Sequence, residues 1–521
     1  MRVANRILKI GLLAISVATV YLVWMLNLIY CAEVSYNAYE QVTITERVFA
    51  GHFALLAILV LLVLWTVCKR TLCRIRPLYV FLFLALLYVG MAIYLIFHVG
   101  SQIRADASWL YYVANGYLKG DFSQFAPGGY IDRYPHQTGF LLVDTVLLLL
   151  FKTPRANFIL NFLFVLGINA LLAALAHTMC KRREVTLLTI LMAFSFLPQF
   201  FFILFAYGLI PGFFFTVLAF YLAVRFLQTK RVSCAVFAIT SVSIAVFLKQ
   251  NFLIGAIAIV LYWLLQTLCE RGRSLIKPIA AVLALLLFVS VPSELAKLYY
   301  EKKTGADLSG GTPAVLWIAM GTDLDNTSRA PGWYDHTNYT TYEDANYNTE
   351  RAAELGVRRL RKNLKKIKKD PERAGIFFKE KIISLWCEPM FQSVWTGPLE
   401  DCGQKTRTAL LQSIYTGGEA EDRIEHGMRV LLLAIFGFAL LFLLARKKEV
   451  NGWELLILFF IGGFLFHLFW EGKSQYTYPY VFVLIPMAAA SIARTSEQLE
   501  KWFRSHIKRK PSEVEETSVT L

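Results

Sequence analysis

Asp106 stands in the stretch RADASWLYYVANGYLKGDFSQFAPGGYIDRYPHQTGF (104–140), a few residues beyond a long apolar run. A carboxylate at that depth costs free energy, so it marks a candidate functional site. Arg104 precedes it and Trp109, Tyr111 and Tyr112 follow, so an acid, a cation and aromatic faces share one patch. Aromatic platforms suit sugar rings and a cation suits a phosphate. The plainer reading is that Asp106 pairs with Arg104 or caps a short helix.

Three further groups have chemistry to offer. YIDRYPHQTGF supplies Tyr130, Asp132, Arg133, Tyr134, His136 and Gln137 in close succession. Lys249, Gln250 and Asn251 interrupt two apolar runs, and Lys acts toward phosphate as a point charge; a snorkelling lysine is the alternative. Glu471, Lys473, Gln475 and Tyr476 form a polar turn between two late apolar runs, close enough for Glu471 to pair with Lys473. A basic stretch from Arg351 to Lys369 with a partial leucine stripe reads either as a solvated helix face or as a surface for anionic lipid or polymer.

The elements that must position these residues are membrane helices. Hydrophobic residues make up 57% of the 521 and charged ones only 17%, which excludes an ordinary soluble globule. The net charge of +16 is carried by short Lys/Arg clusters between apolar runs, as in cytoplasmic loops, so nucleic acid is not an expected partner and the lipid bilayer is. Runs long enough to cross the bilayer fall near 10–30, 48–68, 78–98, 156–179, 185–204, 209–228, 232–248, 252–269, 278–293, 428–445, 453–470 and 477–493. The first lacks a cleavage site and reads as an uncleaved anchor. The eight cysteines show no metal spacing, and Cys387 and Cys402 are close enough in an outer segment to pair.

The stretch 138–151 decides the topology, being apolar but only about 14 residues long. If it spanned, the clusters at Lys181–Arg183, Lys230–Arg231, Arg271 with Arg273 and Lys277, and Arg446–Lys448 would all lie outside. As a re-entrant or interfacial helix it leaves them inside with Lys69, Arg70, Arg74 and Arg76. The expectation is an α-helical polytopic membrane protein with about twelve spans and both termini cytoplasmic. It divides into an N-terminal hairpin (1–77), a core (78–293) with the first long outer loop (99–155), an extracytoplasmic domain (294–427), C-terminal helices (428–493) and a cytoplasmic tail (494–521). Phe377, Phe378, Ile382, Leu385 and Trp386 recur at helical spacing, as for a helix lying in the outer interface.

With these residues in view, the chain resembles the GT-C glycosyltransferases, especially bacterial relatives of the protein O-mannosyltransferases and the lipid A aminoarabinose transferase. Asp106 in RADASW matches their acidic position, YPHQTGF their juxtamembrane element and LKQN (248–251) an outer lipid-phosphate motif. GGTPAVLWIAMG, PGWYD, FFKEKIISLWCEPMF and EGKSQYTYP are similar to segments of Gram-positive members. The resemblance covers most of the chain from about residue 78; the first two spans have no counterpart, and FAYGLIPG lacks the second acid that several relatives carry.

The resemblance implies a GT-C fold and an enzyme of the cell membrane. It would transfer a sugar, with inversion, from a polyprenyl-phosphate donor to an extracytoplasmic acceptor. Asp106 would be the base; Arg104, Lys249, Gln250, Asn251, Lys473 and Tyr476 would hold donor and phosphate; and Tyr130, Arg133, Tyr134, His136, Gln137, Trp333, Tyr334 and Glu471 would contact substrate. No cofactor is called for, and a divalent metal is compatible without being indicated. A teichoic acid, a polysaccharide, a glycolipid or a secreted protein would each serve as acceptor, with the basic stretch favouring an anionic one. A transporter or flippase of the same polyprenyl-linked sugar is the alternative, although such proteins show internal repeats and midplane polar residues that are not evident here.

Overall fold

A computed structural model describes residues 2–269, 276–404, 406–445 and 452–507. Among these, nine helices are long and apolar enough to cross a bilayer, and two bent pairs raise the number to as many as eleven. Two shorter apolar helices, Val232–Leu248 and Trp453–Phe469, complete the bundle. Apolar surface lies on the rim: Val48–Leu72 and Pro77–His98 expose Phe49, Phe53, Phe83 and Leu86, surface that water would penalise and acyl chains would not. At the centre, 78% of the apolar window of Tyr478–His506 is buried, against 17% for Val48–Leu72. The protein is thus an α-helical polytopic membrane protein.

The connections segregate to two ends. At one, Lys69 meets Glu500 (3.2 Å) and Glu184 (4.0 Å), Arg182 pairs with Glu184 (3.2 Å), and Arg183 donates to the Arg74 carbonyl (2.9 Å). Gln228, just before Lys230 and Arg231, reaches the Thr178 carbonyl there (3.2 Å). At the opposite end lie the segments around Glu40, Asp106, Lys249 and Lys473. The expected basic positions Arg271, Arg273, Arg446, Lys447 and Lys448, and the tail from 508, fall outside the described residues.

The helix Thr138–Phe151 begins and ends at the Asp106 end, after a 96° bend from the preceding helical segment. Gly139 lies so close to the Phe247 carbonyl that a Cβ would stand 1.9 Å from it, and the residues after the helix lead straight to Arg155, whose guanidinium sits over Phe97. A helix with both termini at one end does not cross the bundle.

Three expectations need correction. The first hairpin is not a bare pair of spans: Tyr30–Val34 and Val42–Glu46 form an antiparallel ribbon woven into the rest, with Ala32 N–H on the Cys387 carbonyl (3.0 Å) and Val42 N–H on the Arg329 carbonyl (3.0 Å). The outer segment does not begin at 294, because Val291–Thr304 continues the preceding helix and buries Tyr300 against Thr145 (3.3 Å). Pro371–Trp386, expected at the interface, is buried from Lys381 to Trp386 against the first hairpin and Trp453–Phe469. Its start is as the sequence implies: Asp370 caps it by accepting from Arg373 N–H (3.0 Å), and Pro371 closes off the basic helix Thr349–Lys369.

Candidate functional site

The site is assembled by loops pinned to one another at the Asp106 end. Ala105, in a left-handed conformation (φ 54°), separates two neighbours with opposite fates. Arg104 turns inward and donates to the carbonyls of Trp395 and Gly397 (3.1 Å to the latter), its guanidinium 4.3 Å from the Trp395 ring centroid. Asp106, in the first turn of Ala105–Leu118, has no side-chain hydrogen bond or ion pair among the described residues. The two therefore do not pair, and Asp106 caps nothing. Arg104 departs from its expected place beside a phosphate because two backbone carbonyls and an indole already hold it.

Asp106 instead acts electrostatically on Lys249, Glu471 and Lys473 and on a set of tyrosines, Tyr130, Tyr134, Tyr207, Tyr334 and Tyr476. The Lys249 ammonium sits 4.1 Å from the Tyr207 ring and 5.7 Å from that of Tyr476, an aromatic seat rather than a carboxylate one. Gly208 makes this approach: its φ of +73° and a would-be Cβ 2.2 Å from the Leu248 carbonyl admit no other residue without strain. Tyr207 in turn accepts from Gln137 Nε2 (2.8 Å) and shares a hydrogen bond with Tyr130 (3.1 Å).

Lys473 is held differently. Its ammonium donates to Glu40 (2.8 Å), which also binds Arg329, so in place of the possible pairing with Glu471 it pairs with a residue of the first hairpin. The turn carrying Lys473 is clamped from three sides: Gly472 N–H on the Gly332 carbonyl (3.0 Å), Ser474 Oγ on Glu388 (2.8 Å) and Thr477 Oγ1 on the Leu385 carbonyl (2.7 Å). Lys381, fully buried, adds donations to the carbonyls of Gly321 (2.6 Å) and Trp470 (2.7 Å).

Burial sets the charges. It pulls the Lys249 ammonium down to about 8, against the carboxylates of Asp106 and Glu471, and pushes the Glu471 carboxyl up to about 8, against Lys473. Lys473 is also penalised by burial, but Glu40, Asp106 and Glu471 together raise it. Lys249, Glu471 and Lys473 are buried, whereas Asp106, Tyr134, Tyr334 and Tyr476 are half-buried and His136, within electrostatic reach of Lys249, is exposed. Buried Lys249, Glu471 and Lys473 thus lie beside half-buried Asp106, Tyr134, Tyr334 and Tyr476.

Of the residues singled out by sequence, Asp106, Lys249, Lys473, Tyr476, Glu471, Tyr130, Tyr134, Tyr334, His136 and Gln137 come together. Arg133 lies at the edge, over the Tyr339 ring (4.6 Å). Gln250 and Asn251 occupy the turn after Lys249, but neither side chain bonds to the cluster. Trp333 is fully buried with its indole N–H on Ser384 Oγ (2.9 Å), so it braces the 470–476 turn and offers no face to a substrate. Cys387 is buried, Cys402 is exposed and both are free, so the pairing that the sequence left open is not made. Sequence reasoning missed Glu40, Tyr207 and Trp395. Only Tyr207 carried a local signal, as the polar residue before a glycine in an apolar stretch.

No protein-family model matches the chain, and no curated protein matches it.

Proposed function

We propose that this protein is a membrane glycosyltransferase of the GT-C type, moving a sugar from a polyprenyl-phosphate donor to an acceptor hydroxyl on the extracytoplasmic side. The observation that carries the reading is the gathering of Asp106, which makes no side-chain hydrogen bond or ion pair among the described residues, within electrostatic reach of two lysines and beside several tyrosines. Asp106 takes the acceptor hydroxyl proton as that oxygen bonds to the anomeric carbon. The anomeric carbon–phosphate oxygen bond breaks with its electron pair going to the phosphate, where Lys249 and Lys473 stabilise the growing charge. The tyrosines stack on and hydrogen-bond to the sugar. Asp106 and the lysines come from separate loops, so the geometry is inherited from the clamped backbone rather than from any one motif.

The test is a reconstituted assay with radiolabelled polyprenyl-phosphate sugar and envelope extract as acceptor source. Sugar transfer must be accompanied by free polyprenyl phosphate. Movement of intact donor across the bilayer with no such release identifies a transporter instead.

The charge states predict a pH dependence. Rising pH through about 8 removes the Lys249 proton and ionises Glu471, so both changes make the phosphate seat more negative. The donor KM is expected to rise across that window. Lys249→Arg, which stays charged, reduces the rise, and Glu471→Gln removes the remainder. A donor KM indifferent to pH between about 7 and 9 would exclude Lys249 as a phosphate partner.

A further inference from the structure

A cavity of about 290 Å³ lies apart from the Asp106 cluster and shares no residue with it. Val99, Gly100, Ser101 and Gln102 form one wall, Arg155 and Phe158 another, and the 396–398 segment with Gln404 and Arg407 closes it. Its polar equipment is one-sided. Arg155 and Arg407 are both cations, Ser101, Gln102, Thr396 and Gln404 are neutral, and no carboxylate among the described residues lines it. The Arg155 Nε is buried with no hydrogen-bond partner, and the Arg407 side chain has neither hydrogen bond nor ion pair among the described residues. A buried guanidinium donor left unmatched costs free energy that an anionic ligand would recover. Arg155 also stands at the start of Arg155–Cys180, where the helix dipole favours negative charge.

The surroundings narrow the ligand. Phe97, Phe151, Ile159 and Leu410 are all about half exposed or more on neighbouring elements, so the cavity is approached over apolar surface. Guanidinium forks match phosphate oxygens in pairs, which ammonium groups do not. We infer that this cavity is a second, Arg155–Arg407 phosphate-binding site at the bilayer surface, serving the phosphate of a lipid headgroup or free phosphate. It is independent of the sugar-transfer reading, whose lysines lie elsewhere. It does share one structural element with that cluster: Arg104 holds the carbonyls of Trp395 and Gly397, and Gly397 lines the cavity.

Calorimetry on the purified full-length protein in detergent, with three probes, tests this. Dioctanoyl phosphatidic acid is expected to bind, dioctanoylglycerol, which lacks the phosphate, is not, and inorganic phosphate reports whether the acyl chains are needed. Binding of both phosphate probes with similar affinity assigns the site to phosphate as such; binding of the lipid alone assigns it to a headgroup. Arg155→Gln and the surface variant Arg407→Gln are each expected to weaken binding about tenfold or more. Asp106→Asn is expected to leave binding unchanged, which separates this inference from the transfer reaction. Equal binding of phosphatidic acid and dioctanoylglycerol, full affinity in Arg407→Gln, or no binding of either phosphate probe overturns it.

Discussion

Asp106→Asn is expected to abolish sugar transfer while leaving the fold in place. The two roles open to this carboxylate differ greatly in magnitude, and that difference decides between them. As an acid in the first turn of Ala105–Leu118 it contributes about 0.3–1 kcal/mol through the helix dipole. As the base of the reaction it contributes about 10²–10⁴-fold in rate. The asparagine variant keeps the side-chain shape, and among the described residues Asp106 makes no hydrogen bond or ion pair that the change would break, only longer-range attraction to Lys249 and Lys473. Its melting temperature in detergent should therefore stay close to that of the parent while the turnover number falls by orders of magnitude. Near-normal turnover in the reconstituted assay would remove Asp106 from the chemistry and the transfer proposal with it.

The second large effect is on stability. Glu40 is 2% exposed and carries two cations at once, Lys473 at 2.8 Å and Arg329. Removing one member of a buried ionic group leaves uncompensated charge and costs about 3–5 kcal/mol. Glu40→Gln leaves two such cations behind, so the protein is expected to unfold at a clearly lower temperature and to lose donor binding as Lys473 is released. Combining it with Lys473→Met should restore part of the stability, because one stranded charge is gone, but none of the activity. A Glu40→Gln protein that melts like the parent would show that the cluster is solvated and not a brace.

Much of the architecture could be read from the chain because its signals are local. An apolar run reports its own span, and Lys and Arg between runs report which end they occupy. The status of 138–151 followed from placing later clusters such as Lys181–Arg183 on one side, and the helix does return to its own end. Asp106, Lys249 and Lys473 were legible for a related reason: each is an ionisable residue flanked by membrane-depth sequence, where charge is expensive.

What escaped was everything fixed by distance in sequence. Glu40 sits in an unremarkable polar turn between two short strands, and nothing around it announces a partner 433 positions away. Trp395 looks like one aromatic among many until Arg104 is seen stacked on it. Arg104 and Trp333 failed as ligand candidates through the opposite fault. Their types suit binding, but hydrogen bonds to Trp395, Gly397 and Ser384 turn both into framework. Tyr207 was passed over because an acid was sought in that turn, although a tyrosine face seats an ammonium as well.

The Glu40–Lys473 bond also bears on how the molecule is made. Ribosomes advance at about 5–20 residues per second, so the opening hairpin emerges roughly 20 to 90 seconds before the lysine it will grip. Throughout that interval Glu40 has at most Arg329 for company, and the centre cannot close until the final pair of membrane segments has been threaded. A message cut short before codon 473 would yield an inserted but unlatched protein, intact over nine tenths of its length and without the Glu40–Lys473 contact.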